Sequence, residues 1–368
     1  MKEIYGKVMK LIKRQDDLKL ILEDNKSFLK PGRYKTTVKG KEIIYQEDEK
    51  TVNFIKKNVD HISRKTSFIV NFKLMVKDFL LNTIKIHLKD ATFHNEFNGS
   101  LAMITRNNEL KIFDFKKKEV LNLLKDEKKY NLIKNSYYNF KEYFNIPIKS
   151  FNDEKLIYIE DYIEFKPYPQ WSDKEKEEII EEIFEGYIRY VNNYDKSKLE
   201  YISLGTMVRE FTNKIEDKSL VDEILKHIDY DKTLSSKFPR LWLHGDLDFH
   251  NLLLSANKGY VIDWEFNKKF IFLYDILNIF MVEYIYQNDE SYLIEFLKGS
   301  YDGYLKKMFN SMDLEYKTYE KKEYVCIFII ERTMEWELMY NPLNINGFLN
   351  KSIDLLNRID ELQIGVER

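Results

Sequence analysis

Between residues 101 and 115 short apolar runs alternate with polar turn residues, and this pattern predicts a β-hairpin. Residues 101–105 read Leu-Ala-Met-Ile-Thr, 106–109 read Arg-Asn-Asn-Glu, and 110–115 read Leu-Lys-Ile-Phe-Asp-Phe. A further run of strand character, Lys-Leu-Ile-Tyr-Ile, occupies 155–159. Later in the chain 240–243 is apolar and leads into a turn at Gly245-Asp246. Residues 251–255 are apolar again, Ala-Asn-Lys-Gly at 256–259 makes a hairpin turn, and 260–262 returns. Helical spacing of apolar residues marks 52–63, 72–88, 126–144, 174–193, 291–309, 319–340 and 348–362. Trp171-Ser172-Asp173 supplies an N-cap for the helix that begins at 174. Lys30-Pro31-Gly32-Arg33 is a turn, and 36–45 has the pattern of a hairpin.

Composition narrows the picture. At 368 residues the chain is long enough for two packed lobes. The net charge of −2 and the interspersed lysines and acids do not point to a bulk nucleic-acid binder. The single cysteine, Cys326, lies in the apolar run 324–330, so it is expected to be a buried small hydrophobe, with no disulfide framework and no zinc motif. The first thirteen residues are charged throughout, unlike a signal peptide. The longest apolar stretch, 270–286, is interrupted by Asp275 and Glu283 and is too polar to span a membrane. A soluble, cytoplasmic protein is the expectation.

The stretch that carries chemistry is Leu243-His244-Gly245-Asp246-Leu247-Asp248-Phe249-His250-Asn251, followed by Val261-Ile262-Asp263-Trp264-Glu265. The predicted hairpin between them brings Asn251 and Asp263 to one open end, with Asp246 on the preceding loop. Magnesium takes hard oxygen ligands and usually only one or two from protein, the rest coming from water and phosphate. Asn251 and Asp263 suit that role. Asp246 is then left to orient a substrate hydroxyl toward a γ-phosphate, in a reaction dominated by positioning and charge neutralisation. The bland alternative is that Asp and Asn are simply turn residues here. His244 reads as a hydrogen-bonded brace, and Asp248 and His250 as loop-surface residues, with Asp248 also able to face the substrate.

His244-Gly245-Asp246-x-x-x-x-Asn251 with Ile262-Asp263-Trp264-Glu265 resembles the catalytic and metal-binding segments of the aminoglycoside phosphotransferase and choline kinase family. The resemblance implies an α+β, two-lobed, protein-kinase-like fold, with a small, mainly β amino-terminal lobe and a larger, mainly helical carboxy-terminal lobe. It implies Asp246 as the catalytic residue, Asn251 and Asp263 as magnesium holders, and ATP and Mg2+ as cofactors. Protein kinases carry Arg after the His and Phe-Gly after the second metal Asp, where this chain has Gly245 and Trp264-Glu265. That departure favours a small-molecule kinase. Asp275 resembles a further family Asp that braces the catalytic loop, and a helix N-cap is an equal reading of it. The likeness covers about 90 to 285. It assigns 90–165 to the nucleotide lobe and hinge and 166–368 to the catalytic and acceptor-binding lobe, and leaves 1–89 as an extension of uncertain role.

A nucleotide lobe needs a lysine on a strand and a glutamate on the following helix. Lys111 sits among Leu110, Ile112, Phe113 and Phe115, and a lysine so surrounded calls for a partner or an anion. Glu127, sixteen residues on, opens the next helical stretch. The family resemblance implies a Lys111–Glu127 pair holding the α- and β-phosphates. Gly99 and Ser100 are the residues at the place of the phosphate-covering loop, and turn amides can cradle phosphate. No Walker-type motif is present. The backbone of Asp161, Tyr162 and Ile163 falls where the family connects its lobes and bonds adenine. In the carboxy-terminal part Glu331, Glu335 and Tyr340 fall on one helical face beside Trp336. Carboxylates near aromatic rings suit an amine or quaternary ammonium acceptor, and a half-solvated amphipathic helix is the competing reading.

These readings converge on an ATP-dependent kinase of a small hydroxyl-bearing acceptor: an amino alcohol, an aminoglycoside or a sugar. A protein kinase and a catalytically silent nucleotide-binding scaffold are the alternatives.

Overall fold

The computed structural model describes residues 16–37, 42–58, 86–88, 97–105, 109–229, 237–339 and 345–366. The chain divides into two units, Met1–Lys134 with Pro147–Pro167, and Asn135–Ile146 with Tyr168–Arg368.

Eight strands build the first unit: β1 (Gly32–Thr37), β2 (Glu42–Tyr45), β3 (Ile86–Leu88), β4 (Leu101–Ile104), β5 (Leu110–Asp114), β6 (Glu119–Leu123), β7 (Ile148–Asn152) and β8 (Ile157–Asp161). Their spatial order is β3-β1-β2-β4-β5-β6-β8-β7, and every neighbouring pair is antiparallel. Successive side chains of a strand point to opposite faces. Ile44, Ala102, Ile112, Leu121 and Ile157 therefore bury on one side, with Leu18 and Leu22 of the helix at 16–24. Ile43, Leu101, Met103, Phe113 and Val120 face the other side, where Phe54 and Ile55 of the helix Glu49–Asn58 cover them.

The predicted 101–115 hairpin is β4 and β5. The 36–45 hairpin is β1 and β2, with its turn outside the described residues. The helix expected at 52–63 runs Glu49–Asn58, with Asp48 accepting from the Thr51 amide at 3.0 Å, and 59–63 lie outside the described residues. At 72–88 the helical expectation fails where the chain is described: Ile86–Leu88 is a strand paired with β1, and 72–85 lie outside the described residues. A three-residue stretch takes its conformation from the edge it pairs with rather than from its own spacing. Strand β6 was not foreseen. Its turn is set by Asp114, whose carboxylate accepts the Lys116 and Lys117 amides at 3.0 Å each, and by Lys118 at φ 57°. That Asx-type turn has no glycine to announce it.

The second unit is mainly helical, with a three-stranded sheet in the order β13 (Lys268–Ile271), β10 (Lys237–Leu243), β9 (Glu200–Ser203), and a hairpin of β11 (Leu252–Ser255) and β12 (Lys258–Val261). The helix Asp173–Asn193 opens with the anticipated cap: Ser172 accepts from the Glu175 amide, and Glu175 accepts from the Ser172 amide at 2.7 Å. The expected helix at 291–309 is two helices, Ser291–Lys298 and Asp302–Ser311. Gly299 divides them at φ 101°, its amide closing on the Glu295 and Phe296 carbonyls as a C-terminal glycine does. The helices Tyr274–Val282 and Lys321–Met339 are buried through Tyr274–Val282 and 324–330, and Cys326 is fully buried as expected. The last helix runs Ile345–Val366. Among the described residues no helix is long and apolar enough to cross a membrane. The α+β class expected from the chain is the class found, an antiparallel β unit and a mainly helical unit.

Candidate active site

Strand β10 delivers the chain into the loop that carries the motif. Leu241 and Leu243 are buried, and His244 follows them into the interior. The His244 imidazole is a brace. Its Nε2 lies 2.8 Å from the Ile262 carbonyl and its Nδ1 accepts the Asp246 amide at 3.3 Å, which places the proton on Nε2. Its ring packs on Trp264, with centroids 4.7 Å apart. The backbone on either side is held by Asp275. One carboxylate oxygen accepts the His244 amide at 2.7 Å and the hydroxyl of Tyr187, and the other accepts the Gly245 amide at 2.9 Å. Asp275 stands in the first turn of Tyr274–Val282, so of its two sequence readings the loop brace is the one the geometry supports.

Gly245 explains why the residue after the His is not Arg. Its φ is 85°, and a Cβ there would meet the Phe266 carbonyl oxygen at 2.4 Å and Phe270 Cε2 at 2.7 Å. Both neighbours are fixed, one as backbone and one as a buried ring. Gly245→Ala is expected to lower stability by about 2–5 kcal/mol through backbone strain plus overpacking. Urea unfolding reads this, and a variant as stable as wild type would refute the tight fit.

Asp248 caps the next turn. Its carboxylate accepts the His250 amide at 2.7 Å and the Asn251 amide at 3.2 Å, starting the 3-10 turn Phe249–Asn251. The same carboxylate holds the His250 imidazole above its ordinary pKa. This is loop-shaping work, done through Oδ1 of the carboxylate. Asn251 then donates Nδ2 to the Asp246 carbonyl at 2.6 Å, which fixes the orientation of its side-chain amide. The Ile262 amide bonds the Asn251 carbonyl at 3.0 Å, so the hairpin sets the backbones of Asn251 and Asp263 side by side. The turn is tighter than expected. Ala256 and Asn257 alone take left-handed conformations (φ 49° and 61°), and Lys258 and Gly259 belong to β12.

Asp263 itself sits at φ 61°, ψ 52°, a conformation Asp tolerates better than most residues and one that recurs where a functional side chain must be aimed. Trp264 after it is buried, stacked on Phe140 at 4.6 Å, with Nε1 donating to the Val261 carbonyl. The chain goes straight on to β13 and the helix at Tyr274, so no long segment follows Asp263. An amide oxygen and a carboxylate at one end of a hairpin are the hard donors magnesium takes. Among the described residues no group of three or more His, Cys, Asp and Glu is placed to hold a metal ion, so a closed all-protein cage is not built there.

Three further residues support the loop and were not singled out from the sequence. Asn278 donates to the Leu247 carbonyl at 2.9 Å, Asn267 donates to the Leu243 carbonyl, and Arg332, only 2% exposed, brings Nη2 to 3.9 Å from Asp246 Oδ1. Asn and Arg carry no spacing signature when they act across the fold. The available hint was that Asn278 follows Asp275 by nearly one helical turn.

In the first unit the expected nucleotide residues are arranged otherwise than the sequence implied. Lys111 lies on β5, half-buried, in register with Met103 on one side and Asn122 on the other. The strand directly before the helix Glu127–Phe140 is β6, and its buried polar residue is Asn122, whose Nδ2 donates to Glu160 at 3.0 Å. Glu127 is exposed on the first turn of the helix, and no Lys111–Glu127 pair forms. Gly99 and Ser100 do not make an open phosphate loop. The Gly99 amide bonds Phe28, the Ser100 amide bonds Phe113, and the buried Ser100 hydroxyl lies 2.7 Å from that of Thr51. Gly99 is required because a Cβ would stand 2.1 Å from Ile112 Cγ2. At the connector, the Asp161 and Tyr162 amides are drawn to the Pro147 and Lys118 carbonyls, while the Ile163 amide makes no backbone bond.

On the helix Lys321–Met339 the carboxylates expected to greet an amine are already engaged. Glu331 accepts the Ile271 amide with both oxygens (2.9 and 3.2 Å) and faces Arg240 at 3.4 Å. Glu335 pairs with Lys268. The side chains of Trp336 and Tyr340 lie outside the described residues. Burial pushes the Glu331 carboxyl up to about 7 and, with the Arg240 charge, the Lys268 ammonium down to about 8. A carboxyl whose folded pKa exceeds its unfolded value binds its proton more tightly when folded, so stability falls as pH rises from about 4.5 to about 7 and is level beyond. That slope amounts to about 3 kcal/mol. Glu331→Gln is expected to remove it, as thermal unfolding across pH 4.5–8 would show. A variant with the wild-type slope would contradict the assignment.

Residues 192–308, the segment containing the motif, match the model of the phosphotransferase enzyme family. The resemblance seen in the motif thus holds over this segment. No curated protein matches the chain. Among solved structures the chain is similar to choline kinase LicA from Streptococcus pneumoniae, at 13% identity over 69% of this chain and 91% of that one, with a TM-score of 0.41. It is also similar to a thermostable mutant of aminoglycoside phosphotransferase APH(4)-Ia in complex with ADP and hygromycin B, at 11% identity, 68% and 90% coverage and a TM-score of 0.45. A third is a choline/ethanolamine kinase family protein from Mesorhizobium loti, at 12% identity, 68% and 84% coverage and a TM-score of 0.42.

Proposed function

We propose that this protein is an ATP-dependent phosphotransferase that moves the γ-phosphoryl group of Mg-ATP to a hydroxyl of a small molecule. The observation that carries this is the loop 244–251 with its hairpin: Asp275 holds the His244 and Gly245 amides that lead into Asp246, and Asn251 is locked to the Asp246 carbonyl one hairpin step from Asp263. Asp246 would accept the hydrogen bond of the acceptor hydroxyl and aim its oxygen in line with the γ-phosphorus. Asn251 and Asp263 would hold Mg2+, which when bound neutralises charge on the β- and γ-phosphate oxygens. Of the connector residues, Ile163 has the amide that remains for the nucleotide base. Lys111 stays the cationic residue proposed for the phosphates, without Glu127 as its partner.

The acceptor class comprises amino alcohols, aminoglycosides and sugars. ADP release from Mg-ATP, screened over those three groups, tests the proposal, and acceptor-dependent release is the expected result. Mg-ATP binding with no release for any acceptor would favour the second reading, a kinase-fold nucleotide-binding protein without turnover. One observation speaks for that reading: the strand preceding the helix offers Asn122, and the Lys111–Glu127 pair is not made. A protein kinase is disfavoured by the short path from Asp263 to β13.

A further inference from the structure

Four consecutive loop residues, His244 to Leu247, are tied to one helix, Tyr274–Val282. Asp275 takes the amides of His244 and Gly245, and Asn278 takes the carbonyl of Leu247. Asp246 is tied to it through a bridge. Arg332, from the helix Lys321–Met339, donates Nη1 to the hydroxyl of Tyr274 at 3.2 Å and to Oδ1 of Asn278, and its Nη2 faces Asp246 Oδ1 at 3.9 Å. Tyr274 and Asn278 are one helical turn apart on a single face, so together they hold Nη1 while Nη2 faces Asp246. The guanidinium is 2% exposed, and the Asp246 side chain is 15% exposed. The charge is therefore screened little by solvent and lies on the inner side of a carboxylate that itself reaches the surface.

We propose that Arg332 is the positioning residue of Asp246, holding its carboxylate aimed at the acceptor hydroxyl and offsetting its repulsion of the incoming phosphoryl oxygens. The inference rests on the kinase reading given above and adds to it a residue that the motif does not contain. The spacing fits the role. At 3.9 Å the guanidinium acts on Asp246 by charge, with no direct hydrogen bond of its own to the carboxylate oxygens. A bidentate pair would have occupied them. Burying an arginine is unfavourable unless its charge is met, and Asp246 is the carboxylate that meets it here. The same contact thus couples the stability of the helix Lys321–Met339 to the ionised state of the loop.

The test uses the full chain, with Mg-ATP and water as the acceptor, and compares Arg332→Gln, Arg332→Lys, Asp246→Asn and the Asp246→Asn/Arg332→Gln pair. Arg332→Gln is expected to lower kcat roughly 30- to 1,000-fold while KM for ATP stays within roughly 3-fold, because an interaction felt at the reacting carboxylate is lost and nucleotide contacts are not. Arg332→Lys keeps the charge but not the planar fork that turns a second nitrogen toward Asp246, and is expected to recover to within roughly 10-fold of wild type. Adding Arg332→Gln to Asp246→Asn is expected to change kcat by less than roughly 3-fold, since the residue it serves is already neutral. A merely structural Arg332 would give additive losses, no rescue by Lys, or a raised KM at unchanged kcat, and any of these overturns the proposal. If Arg332→Gln does not fold, Arg332→Lys carries the kinetic comparison. Wild-type protein that turns over ATP neither with water nor with any of the acceptors named above would overturn the kinase reading separately. In that case the thermal midpoints of the same four proteins still decide the contact: shifts for Asp246→Asn and Arg332→Gln that fall short of their sum in the double variant support it, and additive shifts sink it.

Discussion

Asp246→Asn should lower the rate of phosphoryl transfer by about 10²–10⁴-fold, the span that a positioned acid–base group contributes. Mg-ATP affinity should change by no more than about 3-fold, because Asp246 is the proposed hydroxyl-orienting residue and the proposed metal holders, Asn251 and Asp263, are untouched. The substitution is close to isosteric, and the backbone that presents position 246 is fixed by its neighbours: the amide by His244 Nδ1 and the carbonyl by Asn251 Nδ2. The loop should therefore stay in place, so loss of turnover would report on chemistry rather than unfolding. Full turnover in this variant would remove Asp246 from the mechanism.

Asp275→Ala should produce the largest loss of stability of any single truncation near the site. The carboxylate accepts the His244 amide, the Gly245 amide and the Tyr187 hydroxyl in a fully buried place. Truncation leaves three donors without an acceptor, each worth about 1–3 kcal/mol when orphaned. Burial pushes the Asp275 carboxyl up from its usual range, which means the native charge is itself held against a desolvation penalty, and removing it returns part of the loss. A net destabilisation of about 3–5 kcal/mol remains, a large fraction of the roughly 5–15 kcal/mol that holds a domain folded. Tyr187→Phe removes one of the three donors along with its need for an acceptor and should cost about 1 kcal/mol. Equal effects of the two substitutions in chemical denaturation would mean that the Asp275 carboxylate does not organise the loop backbone.

The parts of the site that were legible in the sequence are local. Asp246, Asn251 and Asp263 sit on one loop and one hairpin, so their meeting depends on turn geometry within some twenty residues, and motif spacing reports that directly. His244 as a brace followed from the chemistry having no use for an imidazole there. The parts that stayed hidden are long-range. Arg332 reaches Asp246 from 86 residues away in the chain, and nothing in the helical period of 319–340 distinguishes it from the other polar positions. Glu331 was noticed as a carboxylate near aromatic residues, but its partners, the Ile271 amide and Arg240, belong to strands elsewhere in the fold.

The nucleotide lobe shows the same limit from another side. Lys111 was sought by the rule of a lysine on a strand before a helix, and β6 intervenes between that strand and the helix. Its presence puts Asn122 at the buried polar place that the rule had reserved for a lysine. Gly99 signalled a special backbone position correctly and for another reason: Ile112 fills the space a side chain would need. A glycine reports close approach and does not say of what. The helix broken at Gly299 is the one case where a glycine in an otherwise periodic stretch deserved more weight than the period itself.

The most direct test of the central claim is mass spectrometry of an acceptor panel of amino alcohols, aminoglycosides and sugars after incubation with Mg-ATP and the 368-residue chain. Gain of one phosphoryl group on a hydroxyl-bearing acceptor, present with wild type and absent with Asp246→Asn, is the predicted result. The same gain with both proteins, or a wild-type protein that neither binds Mg-ATP nor modifies any acceptor, would contradict it.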